Sequence, residues 1–210
     1  MRAVPEHRWF EMASHDGFTD TEIAFATALS DRTAAWARQD IGDSLFADAG
    51  SRALVATLRL ADPVQNLSLV HFGVRFQGER VRGDRVRGDP FTLPEVASPW
   101  ALSAAGSVGA LADAAAVWLR TVTRKPVALY LWLRNGHPYA ARYAFADTGE
   151  TITQCYDEAA APQGQTAAGP AGLAAPDLYF RVSGDFSTAA MLGELRHGWQ
   201  RRPLNGPWYE

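Results

Sequence analysis

The sequence feature that most constrains the fold is a pair of apolar stretches joined by Asn135-Gly136. Residues 127–134 and 139–147 are both dominated by apolar and aromatic residues. Asn-Gly readily adopts the positive φ angles that a tight hairpin turn requires. The two stretches are therefore predicted to pair as antiparallel strands.

The same reasoning predicts which side chains of this hairpin share a face. Side chains alternate between the two faces of a strand. A turn of two or four residues then places even-numbered residues of the first strand opposite odd-numbered residues of the second. The predicted aromatic face comprises Tyr130, Trp132, Tyr139, Tyr143 and Phe145, and the opposite face comprises Leu129, Leu131 and Leu133.

Further elements follow from hydrophobic periodicity. Alternating patterns predict strands at residues 53–61 and 67–76. A turn at residues 147–150 predicts a third strand of the hairpin's meander at 151–157, and a short strand is predicted at 177–183. Apolar residues at spacings of three and four, each set preceded by a serine N-cap, predict helices at 107–122 and 187–200. The predicted fold class is α+β, a mixed, mainly antiparallel sheet of about six strands with two principal helices packed on one face.

The first fifty residues allow two interpretations. Ile23, Phe25 and Leu29 fit the alternation of a strand, whereas residues 19–22 resemble a capping box that would begin a helix. We favour a strand here, followed by a short helix at residues 30–39.

Length and local composition indicate one folded domain with two polar or small-residue insertions. A chain of 210 residues can bury a sizeable core, so a single globular domain over residues 1–210 is expected, with two small domains as the alternative. Residues 158–176 are mostly Ala, Gly and Pro, which predicts a flexible loop that is either a disordered spacer or a lid. Residues 77–89 contain a tandem Val-Arg-Gly-Asp repeat and are expected to form an exposed loop or a mobile strand extension.

Charge argues against two classes of partner. The formal net charge is −3, so no global positive field would draw the protein to nucleic acid or to an anionic membrane. Lys125 is the only lysine, and this arginine bias is typical of a GC-rich bacterial genome. In the segment 79–89 the arginines are largely offset by acidic residues, which favours a solvated loop. We therefore expect neither nucleic acid nor a membrane as partner.

Cysteine and histidine usage indicates a reducing compartment without a metal centre. Cys155 is the single cysteine, so an intramolecular disulfide is impossible. The first residues lack the apolar run of a signal peptide, and no stretch of about 18 apolar residues occurs. The five histidines stand far apart in the sequence. A cytoplasmic location, no metal and no cofactor are expected.

The aromatic residues favour a non-catalytic function. The chain has seven tryptophans, and Trp, Tyr and Arg are enriched in the energetically dominant parts of protein interfaces. We expect a protein-binding domain of immunity, adaptor or regulatory type, with another protein as partner. The predicted binding residues are Trp132, Tyr139, Tyr143, Trp199, Trp208 and Tyr209.

The alternative function is a small-molecule biosynthetic (tailoring) enzyme with a pocket between sheet and helices. Its candidate catalytic residues are His71, Arg75, Tyr130 and Cys155, which supply acid, base or anion-holding groups. His71 and Arg75 are expected on the same face of one strand, about 13 Å apart. This alternative requires at least two of the four side chains to converge in a concave pocket.

Overall fold

The structure is a computed structural model, and it describes residues 7–48, 53–87, 91–163 and 175–187. The chain divides into two compact units. One comprises Met1–Ala61 and Val70–Thr123, and the other comprises Asp62–Leu69 and Arg124–Glu210. Two compact units can belong to one domain or to two, so the single domain expected over residues 1–210 stays a prediction.

The first unit combines two helices with most of a five-stranded antiparallel sheet in its described part. Residues 62–69, where the second and third strands of this sheet meet, belong to the second unit. The helices are α1 (Asp20–Thr33) and α2 (Val108–Thr123), and a 3-10 turn follows α1 at Ala34–Trp36. The strands are β1 (Gly42–Asp48), β2 (Ala53–Asp62), β3 (Leu67–Gln77), β4 (Arg80–Val86) and β5 (Leu102–Ala105). They lie side by side in sequence order. The predicted α+β class and the strands at 53–61 and 67–76 are confirmed.

One face of this sheet packs against both helices. The ring of Phe25 in α1 stacks on that of Phe76 in β3 with centroids 4.2 Å apart. Trp118 in α2 lies edge-on to Phe72 in β3 at 6.2 Å. All four side chains are buried, and burial of such large apolar surfaces is the main force that holds the layers together. The predicted helix at 107–122 is thereby confirmed.

The predicted strand near the N-terminus is wrong, because the segment forms α1. Thr19 and Glu22 make both hydrogen bonds of a capping box, so two backbone N–H groups that a helix start leaves unpaired are satisfied. Phe25, Ala26 and Leu29 are buried at the helical spacing of three and four residues. The alternation of Ile23, Phe25 and Leu29 was compatible with both periods, and the cap decided between them.

Residues 77–89 were expected to form an exposed loop or a mobile strand extension, and the loop is wrong for residues 80–86, which form β4 inside the sheet. Val81 is fully buried and pairs with Ala104 of β5. Gly83 leaves room for Trp118, since a Cβ at this position would lie 3.0 Å from the indole ring. Val81 and Gly83 thus face the helices, as does Arg85, whose guanidinium lies 5.4 Å from the centroid of the Trp100 ring. Arg80 and Arg82 alternate to the other face.

The second unit contains a four-stranded antiparallel sheet in its described part. Its strands are β6 (Val127–Arg134), β7 (His137–Phe145), β8 (Thr151–Tyr156) and β9 (Leu178–Ser183), in the order β8-β7-β6-β9. Asn135 and Gly136 form the turn of the β6–β7 hairpin with φ angles of 53° and 82°. The predicted hairpin and the strands at 151–157 and 177–183 are confirmed.

A β-bulge changes the predicted distribution of side chains over this hairpin. Near the turn Leu133 pairs with Pro138, as a two-residue turn requires, but the register shifts between Trp132 and Leu133. Beyond the shift even-numbered residues face even-numbered ones, and Leu129 pairs with Tyr143. Tyr143 and Phe145 therefore lie on the leucine face, and their assignment to the aromatic face was wrong. An extra residue in one strand shifts all later pairings by one.

Several predicted elements lie outside the described residues. These are the helix at 187–200 and residues 164–174 of the loop at 158–176. Of the described part of that loop, Ala161 is buried and its N–H donates to the carbonyl of Asp157 at 3.0 Å.

The packing of Trp118 against Gly83 predicts that Gly83→Ala destabilises the protein. A glycine in a strand normally weakens it relative to alanine. Here the added methyl group would press on the indole ring, and we expect a loss of about 1–3 kcal/mol in the free energy of unfolding. Urea denaturation measures this difference.

Gly42→Ala in β1 is the matched control. Its added Cβ would meet only the flexible side chain of Arg59, at 3.4 Å, so the substitution should be neutral or stabilising. Equal unfolding free energies for the two variants would contradict the assigned role of Gly83.

Candidate functional site: an arginine-lined cavity

Arginines gather on the face of the first sheet that points away from the helices. Arg75 of β3 pairs directly with Arg82 of β4, and Arg82 pairs with Ser103 of β5. One row further along, Arg80 of β4 pairs with Gln77 of β3 and with Ala105 of β5. Because side chains at directly paired positions share a face, three arginines project from adjacent strands on one side.

These side chains line a cavity of about 550 Å³. Strands form its floor and the segment after β4 forms its wall. The lining residues are Ala53, Arg75, Gln77, Arg80, Arg82, Thr92, Leu93, Pro94 and Glu95. We call this site the arginine cavity.

The wall of the arginine cavity is held by hydrogen bonds on both sides. Arg87 and Thr92 exchange two backbone hydrogen bonds of 3.0 and 3.1 Å. Further along, the backbone N–H of Ser98 donates to the buried carboxylate of Asp84 at 2.8 Å. Residues 92–95 are therefore tied to β4 at each end.

The three arginines differ in their electrostatic environment. Arg75 is partly buried and forms an ion pair with Asp48 of β1. Arg80 and Arg82 are exposed, and in the described parts of the chain neither has a carboxylate partner. Glu95 supplies one negative charge to the lining. Two guanidinium groups of the lining thus lack a counter-charge among the described residues.

His71, a predicted catalytic residue, lies on the same strand face as Arg75 but is not part of the cavity lining described above. Its ring lies 5.5 Å from that of Phe91, which in turn lies 5.4 Å from Phe46. Burial lowers the pKa of His71, and the positive charge of Arg59 lowers it further. The folded protein thus favours the neutral imidazole.

This lowered pKa predicts a loss of stability in mild acid. Below pH 6.5, the ordinary His value, the unfolded chain binds a proton at His71 before the folded chain does. The free energy of unfolding should therefore fall as the pH decreases from 6.5 towards the pKa of the folded state. His71→Gln should reduce this slope in urea titrations at a series of pH values.

His15→Gln removes an exposed imidazole and is the matched control. If both variants kept the slope of the parent protein, His71 would not be its source.

The second unit contains an aromatic cluster that includes two of the predicted binding residues, Trp132 and Tyr139. Tyr130, Trp132 and Tyr139 share one face of the sheet and are at most 5% exposed. The guanidinium of Arg142 lies over the rings of Tyr130 and Trp132, at 5.1 and 5.4 Å from their centroids. Burial raises the pKa of Tyr130, and the charge of Arg142 opposes that rise. These rings pack as core, while a binding role for Trp132 and Tyr139 stays a prediction.

Tyr143 lies on the opposite face and has a polar role. Its hydroxyl donates to the carboxylate of Asp62 at 2.7 Å, and both residues are buried. The same carboxylate accepts hydrogen bonds from the backbone N–H groups of Val64 and Gln65. Tyr143 therefore helps to satisfy a buried charge within the second unit.

This hydrogen bond predicts that Tyr143→Phe destabilises the protein by about 1.5–3 kcal/mol, the usual range for a bond to a charged group. Thermal or urea unfolding measures the loss. Tyr139→Phe is the control, because in the part of the chain that the structure describes the Tyr139 hydroxyl has no hydrogen-bond partner. Equal losses for both variants would contradict the role given to the Asp62 bond.

The four predicted catalytic residues occur in both units. His71 and Arg75 belong to the first, and Tyr130 and Cys155 to the second. Tyr130 pairs with Arg142 while Cys155 pairs with Ala141, the next residue, so they lie on opposite faces of their sheet. The positions of these residues give no support to the enzyme alternative, which stays a hypothesis.

Sequence reasoning missed Arg80 and Arg82 as site residues. The repeat was interpreted as a solvated loop because its charges nearly cancel. The available signal was its period of two, in which arginines alternate with Val81 and Gly83. The predicted binding residues Trp199, Trp208 and Tyr209 lie outside the described residues.

The described residues contain no group of three or more His, Cys, Asp or Glu side chains that could hold a metal ion. In the same ranges no helix is both long and apolar enough to cross a membrane.

Comparison with protein-family models, with curated proteins and with solved structures found no match.

Proposed function

We propose that the protein is a non-catalytic protein-binding domain of immunity, adaptor or regulatory type, and that the arginine cavity recognises an acidic segment of its partner. The observation that carries this proposal is the pair of exposed arginines, Arg80 and Arg82, without carboxylate partners among the described residues. They border a cavity that also has an apolar wall.

The donor chemistry of the cavity suits carboxylates. A guanidinium presents its N–H groups in a planar fork that matches a carboxylate, and charge-assisted bonds of this kind are among the strongest in proteins. Leu93 and Pro94 offer apolar contact beside the arginines. An acidic segment with apolar residues between its carboxylates would match both the arginines and the apolar wall of the cavity.

The energetics of the sheet support a binding role rather than a structural one. Arg75 and Arg82 stand directly opposite each other on neighbouring strands, and like charges at such positions are destabilising. The ion pair with Asp48 offsets the charge of Arg75 only. Arg82 has no such counter-charge among the described residues, and a bound carboxylate would supply it.

We also propose a cytoplasmic location. The single cysteine is an exposed free thiol, which is compatible with a reducing compartment. Fractionation of the source cell tests this point.

Replacement of both exposed arginines, Arg80→Gln with Arg82→Gln, should weaken partner binding by about tenfold or more, which corresponds to about 1.4 kcal/mol. The loss should shrink at high salt, because salt screens exposed charges. The partner is first captured from the source cell with the parent protein, and its dissociation constants for parent and variant are then measured at two salt concentrations. The free energy of unfolding should be unchanged or higher.

Arg38→Gln with Arg120→Gln is the charge-matched control, since both arginines are exposed and lie outside the cavity lining. Repeated capture that returns no partner would count against the proposal. A partner that binds both double variants with the parent affinity would refute the role of the cavity.

A further inference from the structure

The edge strand β5 provides an unpaired backbone next to the arginine cavity. β5 is last in the order of the first sheet, so within the described residues it pairs only with β4. Its sequence is Leu-Ser-Ala-Ala, without the proline, charge or bulge that proteins use to block an exposed edge.

Hydrogen-bonded and non-hydrogen-bonded residue pairs alternate along the β4–β5 ladder, and their positions identify which backbone groups of β5 point away from β4. The N–H of Gly106 donates to the carbonyl of Glu79 at 3.0 Å, so these residues form a hydrogen-bonded pair. Such pairs alternate along an antiparallel ladder. The pairs Val81 with Ala104 and Gly83 with Leu102 therefore bond, and the outward-pointing residues of β5 are Ser103 and Ala105.

Ser103 and Ala105 leave room for an additional strand beside β5. Ser103 and Ala105 are both exposed, and in the described ranges no hydrogen-bond partner reaches their outward backbone groups. Their side chains share the face of Arg82 and Arg80. Because both side chains are small, a neighbouring strand could extend its own side chains over them to the arginines.

We propose that the partner's acidic segment binds in an extended conformation and adds a strand to the free edge of β5. This inference rests on the proposed function and specifies how the partner binds. The added backbone would exchange hydrogen bonds with Ser103 and Ala105, which is the recognition mode of β-strand addition. Its side chains on the arginine face would carry the carboxylates.

Strand spacing sets the pattern of the bound segment. Neighbouring strands lie about 4.8 Å apart, so the added strand is about 10 Å from the arginines of β4, within the combined reach of arginine and glutamate. Residues on the other face would adjoin Leu102 and Ala104, which are partly buried. The bound segment therefore alternates acidic with apolar residues.

The test uses ¹⁵N-labelled full-length protein and a blocked peptide, Glu-Val-Glu-Val-Glu, as the probe. The amide signals of Ser103 and Ala105 should shift and become protected from hydrogen exchange on addition of peptide. Protection of Leu102 and Ala104 should stay as it was, because their N–H groups already bond to β4. The Arg80→Gln, Arg82→Gln variant should bind the peptide at least tenfold more weakly.

Backbone methylation of the peptide supplies the control for strand addition. Methyl groups on the amides that face β5 should abolish binding, whereas methyl groups on the alternate amides should preserve it. Equal binding by both methylated peptides would overturn the proposal. The peptide Lys-Val-Lys-Val-Lys should leave all four amide signals unchanged, and binding equal to that of the acidic peptide would also overturn it.

The remaining outcomes separate this inference from the proposed function. Shifts confined to the arginine side chains would overturn strand addition and leave an acidic partner in place. Absence of any shift at Ser103 and Ala105 up to about 1 mM peptide would overturn strand addition, while capture of the partner would still test the cavity. Protection of these amides that rises with protein concentration, without peptide, would identify a second copy as the occupant and overturn the proposal.

Discussion

The architecture of the first unit depends on the packing of Trp118 against Gly83. The indole also donates a hydrogen bond to the carbonyl of Trp100 at 2.8 Å, so its orientation is set by a polar contact as well as by packing. Because Gly83 must face this ring, its neighbours Arg82 and Asp84 must face the other way. Arg80, two residues before Arg82, shares its face, so the orientation of both β4 arginines of the cavity follows from that of Gly83.

The side-chain pattern of β4 explains why this strand could not be predicted from the sequence, whereas its neighbours could. The strands β2 and β3 and helix α2 have strong apolar periodicity, which identifies them without tertiary information. In β4 the helix-facing positions are Val81, Arg85 and Gly83, which is buried but, as a glycine, gives no hydrophobic signal. Its burial depends on Trp118, a residue 35 positions later in the sequence, so local periodicity could not reveal it.

The β6–β7 hairpin illustrates a different limit. The turn residues Asn135 and Gly136 specify that the strands reverse, and the structure agrees. They do not specify whether the ladder continues in register beyond Trp132. The bulge there moves Tyr143 to the face where its hydroxyl reaches Asp62, so a buried carboxylate gains a donor. The hydrogen bond joins residues that are far apart in the sequence, so the turn residues alone could not predict it or the bulge that permits it.

Local charge and total charge lead to different expectations about partners. The chain is acidic overall, and its −3 net charge argued against any anionic partner that binds through a global field. The sheet nevertheless sets Arg82 opposite Arg75, and only Arg75 has an acidic partner in the described ranges. A carboxylate from outside the chain would give Arg82 the counter-charge that Asp48 gives Arg75. An acidic protein can therefore present a basic site, provided that its backbone places arginines on adjacent strands.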